Sequence, residues 1–470
     1  MAGPAVADLA GLDAAHRARI FAPMSTTTEQ RTSYARRLGL FDGTMVVVGG
    51  IIGAGIFLNP AIVAQRVGTG AWILGAWAIG GVVALVGAMC FAELGARRPA
   101  AGGGYVYLRE AFGPLPAFLY GWTLLLVINT GGVAAVAVTF ARYATDLAHL
   151  PGGAVKPLAA GAILLLSGVN YFGVRPGSIT QNVLTVLKLA ALAVLIVVAL
   201  AFAGRGGPAP AAGAEPAAPG GPLLVVALGA ALIPVLFSYG GWQNANFVAE
   251  EIVEPRRNLP RALLIGTAIV VAAYVLANVA YLATLGAGGL AASLAPASDT
   301  MRAALGPAGG TAIALGIVAS TFGFLNLSIL AAPRVYQAMA DDGLFFGWAA
   351  ELHPRWRTPG GAILFQAAWA VLLLLSGTYG QLLDYVVFGD WIFFGSVVAT
   401  LFVYRRRAHP AADEGGFRAP GYPWLPAGFV AVAAFVVLSS VRSNPVNAAI
   451  GGALIALGVP VFLFWRRRRA

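Results

Sequence analysis

Charge is scarce in this sequence. Only 10% of its 470 residues are Asp, Glu, Lys or Arg, whereas a soluble domain carries about 25%, because its surface must face water. The deficit is explained if lipid replaces water over much of the surface. Cysteine is scarcer still. The lone Cys90 excludes an internal disulfide and any cysteine-built metal centre, and reads as a small apolar core residue. The four histidines, His16, His149, His353 and His409, lie outside the apolar runs or at their edges. A haem held by paired histidines inside a membrane is therefore excluded, as is a histidine proton relay there. Lys156 is followed by Pro157 and Lys188 by Leu189, so the Gly-Lys-Ser/Thr phosphate loop of a primary pump is missing. Also missing are His-Glu-x-x-His, an inward-facing acid pair, the polar ring of a channel filter and the alternating pattern of a membrane β-barrel. Neither a cofactor nor a metal is called for.

What is present is apolar length. Hydrophobic residues make up 59% of the chain, in runs long enough to cross a bilayer, and in lipid such runs must be helices because each backbone group has to be satisfied within the segment. The chain reads as an all-α membrane protein of twelve transmembrane helices, at about 42–66, 71–95, 117–146, 157–174, 181–203, 223–250, 261–286, 309–338, 361–378, 382–404, 425–442 and 446–465. The net charge of +11 is a topology code and not a nucleic-acid patch. With the N-terminus inside, 23 basic residues face the cytoplasm and six the outside, while Lys188 lies within a span. This asymmetry places both termini in the cytoplasm of an integral plasma (inner) membrane protein whose surroundings are lipid. Residues 1–39 are expected to form a disordered cytoplasmic tail without a cleaved signal peptide, with Met24 as an alternative start. Residues 40–466 form one membrane domain.

A Pro-, Ala- and Gly-rich connector at Gly204–Pro222 divides the first ten spans into two fives. Five is odd, so the second set enters the membrane inverted, about 42–203 against 223–404, with peripheral helices at about 425–465. Spans one and six then correspond. Span one carries Gly49, Gly50, Gly53 and Gly55, and span six carries Gly240 and Gly241. Glycine costs about 1 kcal/mol in a helix interior relative to alanine. Paired interruptions at matching places point to unwound helices around a midplane site. Taken alone, Gly49 and Gly53 would fit ordinary close packing.

An unwound helix exposes free N–H groups on one side of the break and free carbonyls on the other. The N–H end favours a carboxylate, and the carbonyls suit an ammonium group. The pair predicts a site for a zwitterion such as an α-amino acid. The N–H groups of Ala54, Gly55 and Ile56 are expected to take the carboxylate. The carbonyls of Ile51, Ile52, Phe237 and Ser238 are expected to take the amine. Gly53, Tyr239, Gly240 and Trp242 complete the two segments.

GGIIGAGIF at 49–57, FAELGARRP at 91–99, GGGYVYLREAFG at 102–113, the span-six segment 237–262 and RVYQAMADDGLF at 334–345 resemble the amino acid–polyamine–organocation superfamily. The nearest branch is the L-type amino acid transporters with their bacterial relatives, over about Leu40 to Pro423. The resemblance implies a leucine-transporter-type fold, a 5+5 inverted repeat with two peripheral helices. It also implies substrate held at the breaks of spans one and six. The family's glycine-small-glycine turn falls on Gly53-Ala54-Gly55, its closing aromatic on Phe237, and its span-six pocket residues on Gly240 and Trp242. Ala54 stands where serine is common, and Gln243 where asparagine is common.

Lys188 is an intramembrane cation with two readings: snorkelling to the surface, or pairing with the freed carbonyls of span one and with span eight. In the resembled family a lysine here occupies the place where sodium-coupled relatives bind a cation, which implies sodium-independent exchange or proton coupling. Asp390 and Asp384 are acids at membrane depth, and Asp390 is a candidate acceptor of a coupling proton. Glu250 and Glu251 are expected to face Arg256 and Arg257 at the inner end of span six. The expected function is amino acid transport by alternating access. Polyamine or organic-cation transport and a polytopic membrane enzyme are the alternatives, and the sequence leaves a partner subunit open.

Overall fold

The computed structural model describes residues 34–203, 222–376, 379–407, 416–443 and 445–469. Its elements are α1 (Leu40–Ile51), α2 (Gly55–Val67), α3 (Gly70–Arg97), α4 (Gly104–Phe112), α5 (Pro114–Leu147), α6 (Val155–Tyr171), α7 (Val174–Phe202), α8 (Pro222–Tyr239), α9 (Asn244–Phe247) and α10 (Pro255–Ala292). After them come α11 (Pro296–Leu305), α12 (Pro307–Ala331), α13 (Pro333–Asp341), α14 (Gly360–Ser376), α15 (Tyr379–Arg407), α16 (Trp424–Ser443), α17 (Pro445–Ala456) and α18 (Gly458–Arg469). Several begin at proline, whose fixed φ suits the first helical position and whose missing N–H costs nothing there. At the start of α1, Gly39 donates its N–H to Asp42 Oδ2 (2.8 Å), and the acid in the first turn complements the helix dipole.

Among the described residues nine helices are long and apolar enough to cross a membrane, and ten if the bent pair α1–α2 is one span. The ninth and tenth expected spans fall on α14, with 17 residues, and α15, with 29, which are outside that count. The seventh was expected to end at 286, where Gly286 (φ 68°) kinks α10. No strand forms among the described residues beyond an isolated bridge between Leu38 and Ile252. Outward side chains such as Leu165, Val197 and Val225 are apolar and 61–72% exposed, as a lipid-facing surface requires.

Two apolar cores hold the bundle. One is built from α5, α6, α12 and α14 and includes Val138, Ile163, Leu325 and Leu374. The other joins α1, α3, α8 and α10 through Val48, Trp77, Tyr239 and Tyr274, and extends to α15 and α16 and, through Leu124, Ile128 and Leu327, to α5 and α12 as well. The end of the expected tail departs from disorder over residues 34–39. Arg37 and Leu38 donate their N–H groups to the Glu251 carbonyl (2.9 and 3.0 Å), Val253 N–H returns to Leu38 O (2.8 Å), and Tyr34 is buried. These pairings satisfy the backbone of a segment that has few apolar residues of its own. Residues 1–33 lie outside the described residues.

Candidate functional site

Both helix breaks form. The first runs over 52–54, where α1 stops at Ile51 and α2 restarts at Gly55 with a 41° bend. The second runs over 240–243, between α8 and α9. The first was expected on Gly53-Ala54-Gly55 and begins one residue earlier; the second starts at the expected Gly240 and Gly241 and runs on to Gln243. The breaks touch each other. A Cβ on Gly241 (φ 121°) would overlap the Gly50 carbonyl oxygen, and one on Gly50 would lie 2.6 Å from Gly241 O. A Cβ on Gly55 would lie 2.6 Å from Ser238 Oγ. Across this seam Asn59 Nδ2 donates to Ser238 Oγ (2.8 Å) and Pro234 O (3.0 Å).

Beside the breaks lies a cavity of about 280 Å³, at the small end of ligand pockets (about 300–1,000 Å³). Its wall takes Ile51, Gly53, Ala54 and Gly55 from the first break and Phe237, Ser238 and Gly240 from the second. It also takes Asn129 and Thr139 of α5, Phe324 of α12, and Asp390, Trp391 and Phe394 of α15. On this wall Leu124, Ile128, Leu236 and Trp391 belong to the larger apolar core, and Val136 packs against the smaller one. No side chain caps the start of α2; Phe57 N–H donates to Ala54 O (3.1 Å), which leaves the Gly55 and Ile56 N–H groups as orphan donors. Phe237, on that wall, is 39% exposed.

Four expected site residues stand behind this wall. Ile52 and Ile56 are buried, and so is Tyr239, whose hydroxyl donates to Trp77 O (3.1 Å). Trp242 is 1% exposed and packs against Phe91, Phe394 and Phe429. The turn after Gly241 directs its indole into the core instead of the cavity. Of the carbonyls expected to hold an amine, Ile51 O accepts from Tyr274 Oη (3.0 Å), Ile52 O from Lys188 Nζ (2.8 Å) and Phe237 O from the Gly240 N–H (3.2 Å). Each carbonyl keeps a second lone pair.

Lys188 does not snorkel. It is fully buried, and Nζ donates to Gly49 O (3.0 Å) as well as to Ile52 O. Gly323 of α12 leaves room for it, since a Cβ there would lie 3.2 Å from Lys188 Cε. The protein's own ammonium thus sits on carbonyls released by the first break. Asp390 lines the cavity, and the side chain of Asp384 lies outside the described residues.

The remaining motifs meet at the arginine-rich end. Glu251 pairs with Arg334 (2.7 Å, 0 and 1% exposed), not with Arg256 or Arg257; Arg257 pairs instead with Glu254. Sequence proximity had suggested the nearer arginines, but the turn at 249–251 points Glu251 inward toward α13. Tyr34 lies under the Arg334 guanidinium, 5.7 Å from ring centre to Cζ, and burial pushes its phenol well above the ordinary range. Fully buried Glu93 accepts two bonds from Arg405 (2.9 and 2.6 Å), one from Arg97 (2.9 Å) and the Ala419 N–H (2.7 Å). Asn246 Nδ2 donates to Phe91 O (2.9 Å) and Tyr107 Oη (3.1 Å), and Asp342 holds Tyr105 and Arg109 (2.8 and 2.7 Å). Glu93, Asn246 and Arg334 are the residues that sequence reasoning missed. A buried acid or amide inside a quoted motif was the available signal.

The amino acid permease family model matches residues 38–465. The human b(0,+)-type amino acid transporter 1 is 34% identical over 418 residues, 88% of this chain and 84% of its own length. The human cystine/glutamate transporter is 32% identical over 447 residues, 94% and 88% of the two chains. The mouse large neutral amino acids transporter small subunit 2 is 33% identical over 454 residues, 92% and 82% of the two. With two broken helices around a cavity and these likenesses along almost its whole length, the chain belongs to the amino acid permease family, in the L-type branch of the amino acid–polyamine–organocation superfamily, and is a membrane transporter and not an enzyme.

Proposed function

We propose that this chain is a sodium-independent secondary transporter that carries amino acids by alternating access, either as an exchanger or with a proton. The observation that carries the reading is the cavity faced by both helix breaks. Helices interrupted around a site let one group of helices rock against the rest about it. The uncapped first turn of α2 receives the substrate carboxylate through its N–H groups and dipole. The second lone pairs of the break carbonyls receive the amine. Phe237 closes over the occupied site. In this reading, with twelve spans in a 5+5 inverted arrangement and both termini cytoplasmic, the Arg334–Glu251 and Glu93–Arg405 cluster lies at the inner side. The closed ion pairs of that cluster and the exposure of Phe237 support an outward-facing reading of this conformation.

Lys188 supports the sodium-independent part. Its ammonium already occupies the carbonyls of Gly49 and Ile52, leaving no role there for a dissolved cation. The test is uptake of labelled amino acids into proteoliposomes holding the purified chain, with and without internal amino acid, sodium and a pH gradient. Counterflow that ignores sodium is expected. Uptake that requires sodium, or no counterflow with any amino acid, overturns the reading.

A further inference from the structure

We infer that Asp390 selects a positively charged substrate side chain, so that the cavity accepts basic amino acids such as arginine and lysine; this rests on the transport reading above. Asp390 is the only ionisable side chain on the cavity wall among the described residues. The other polar side chains of that wall, Ser328 apart, have hydrogen bonds within the protein. Asn59 and Ser238 donate to Pro234 O (3.0 and 2.8 Å), Asn129 to Gln366 Oε1 (3.0 Å) and Thr139 to Ala135 O (3.1 Å). Gln243 Oε1 accepts the Gly241 N–H (3.0 Å), and Asn244 donates to Gly241 O (2.9 Å). Asp390 has no such partner among the described residues. Lys188 cannot serve as one, since its ammonium is spent on the far side of the first break.

A carboxylate facing an apolar space is costly unless an opposite charge meets it. The partner that arrives in this cavity is the substrate. α15 borders the same space as the two breaks but belongs to neither, so the α-amino and α-carboxyl groups can sit at the breaks while the side chain points to α15. Trp391 and Phe394 line the wall beside Asp390. Their rings suit an aliphatic stem and the face-on approach of a cation.

The test uses the full chain in proteoliposomes with labelled leucine and labelled arginine. In the unaltered protein, arginine and lysine are expected to compete with leucine. Asp390→Asn should lower the ratio of kcat/KM for arginine to that for leucine by roughly ten- to a hundredfold, the worth of a hydrogen bond to a charged group. Asp390→Glu should restore part of that ratio. An Asp390→Asn ratio equal to that of the unaltered protein overturns the inference, and so does failure of arginine to compete with leucine, which needs no variant at all. Both results leave leucine transport standing. Absence of uptake for every amino acid removes the transport reading and this inference with it.

Discussion

At the scale of single residues, the glycines of the two breaks are not equivalent. Gly241 combines positive φ with contact against Gly50, whereas a Cβ on Gly53 would meet nothing nearer than 3.4 Å, at Phe324. Gly241→Ala should therefore cost about 1–3 kcal/mol in strain and overpacking, seen as a lower melting temperature in detergent. Gly53→Ala should melt close to the unaltered protein. Lys188→Ala leaves two buried carbonyls without their donor, a penalty of about 1–3 kcal/mol, and uptake should fall about tenfold or more without rescue by sodium. The glycine pairing was legible in the sequence, but which glycine is indispensable was not. The demand on Gly50 comes from a segment some 190 positions away, and only the folded seam reveals it. Trp242 shows the same limit, because inside a break the direction of a side chain is set by the turn and not by helical periodicity.

At the scale of elements, the segment 34–39 is strapped to the 249–253 turn, and that turn is fixed from below by Glu251 on Arg334. Breaking a buried ion pair by removing one partner costs about 3–5 kcal/mol, chiefly from the charge left behind. Arg334→Ala should lower the melting temperature and hasten trypsin cleavage at Arg36 and Arg37. Unchanged cleavage would show that the strap is held elsewhere. Helix positions were readable because lipid demands long apolar runs, and the breaks were found to within two residues. The π-helical stretch Leu124–Ile128 inside α5 left no trace that composition could show, since all five residues are apolar helix neighbours. The strap was also hidden, because its pairing is backbone to backbone.

At the scale of the whole molecule, the division into two cores follows from which helices share apolar faces, and sequence periodicity does not reveal partners. The inverted layout could be argued only from the odd number of spans before the connector. The basic asymmetry predicts that a tag at the C-terminus is reached by antibody only after cells are permeabilised. Access in intact cells would reverse the orientation assigned here.

Lys188 also has an electrical consequence. An ion borrowed from solution enters and leaves with each cycle and carries current. This ammonium is bound covalently to α7 and makes no such journey. A zwitterionic cargo exchanged for another should then move no net charge, and leucine-for-leucine exchange should ignore a potassium–valinomycin potential. Arginine brings its own charge, for which 100 mV is worth about 2.3 kcal/mol, so an inside-negative potential should draw arginine inward against leucine. For that exchange of arginine against leucine, the cell's voltage and not its sodium sets the direction.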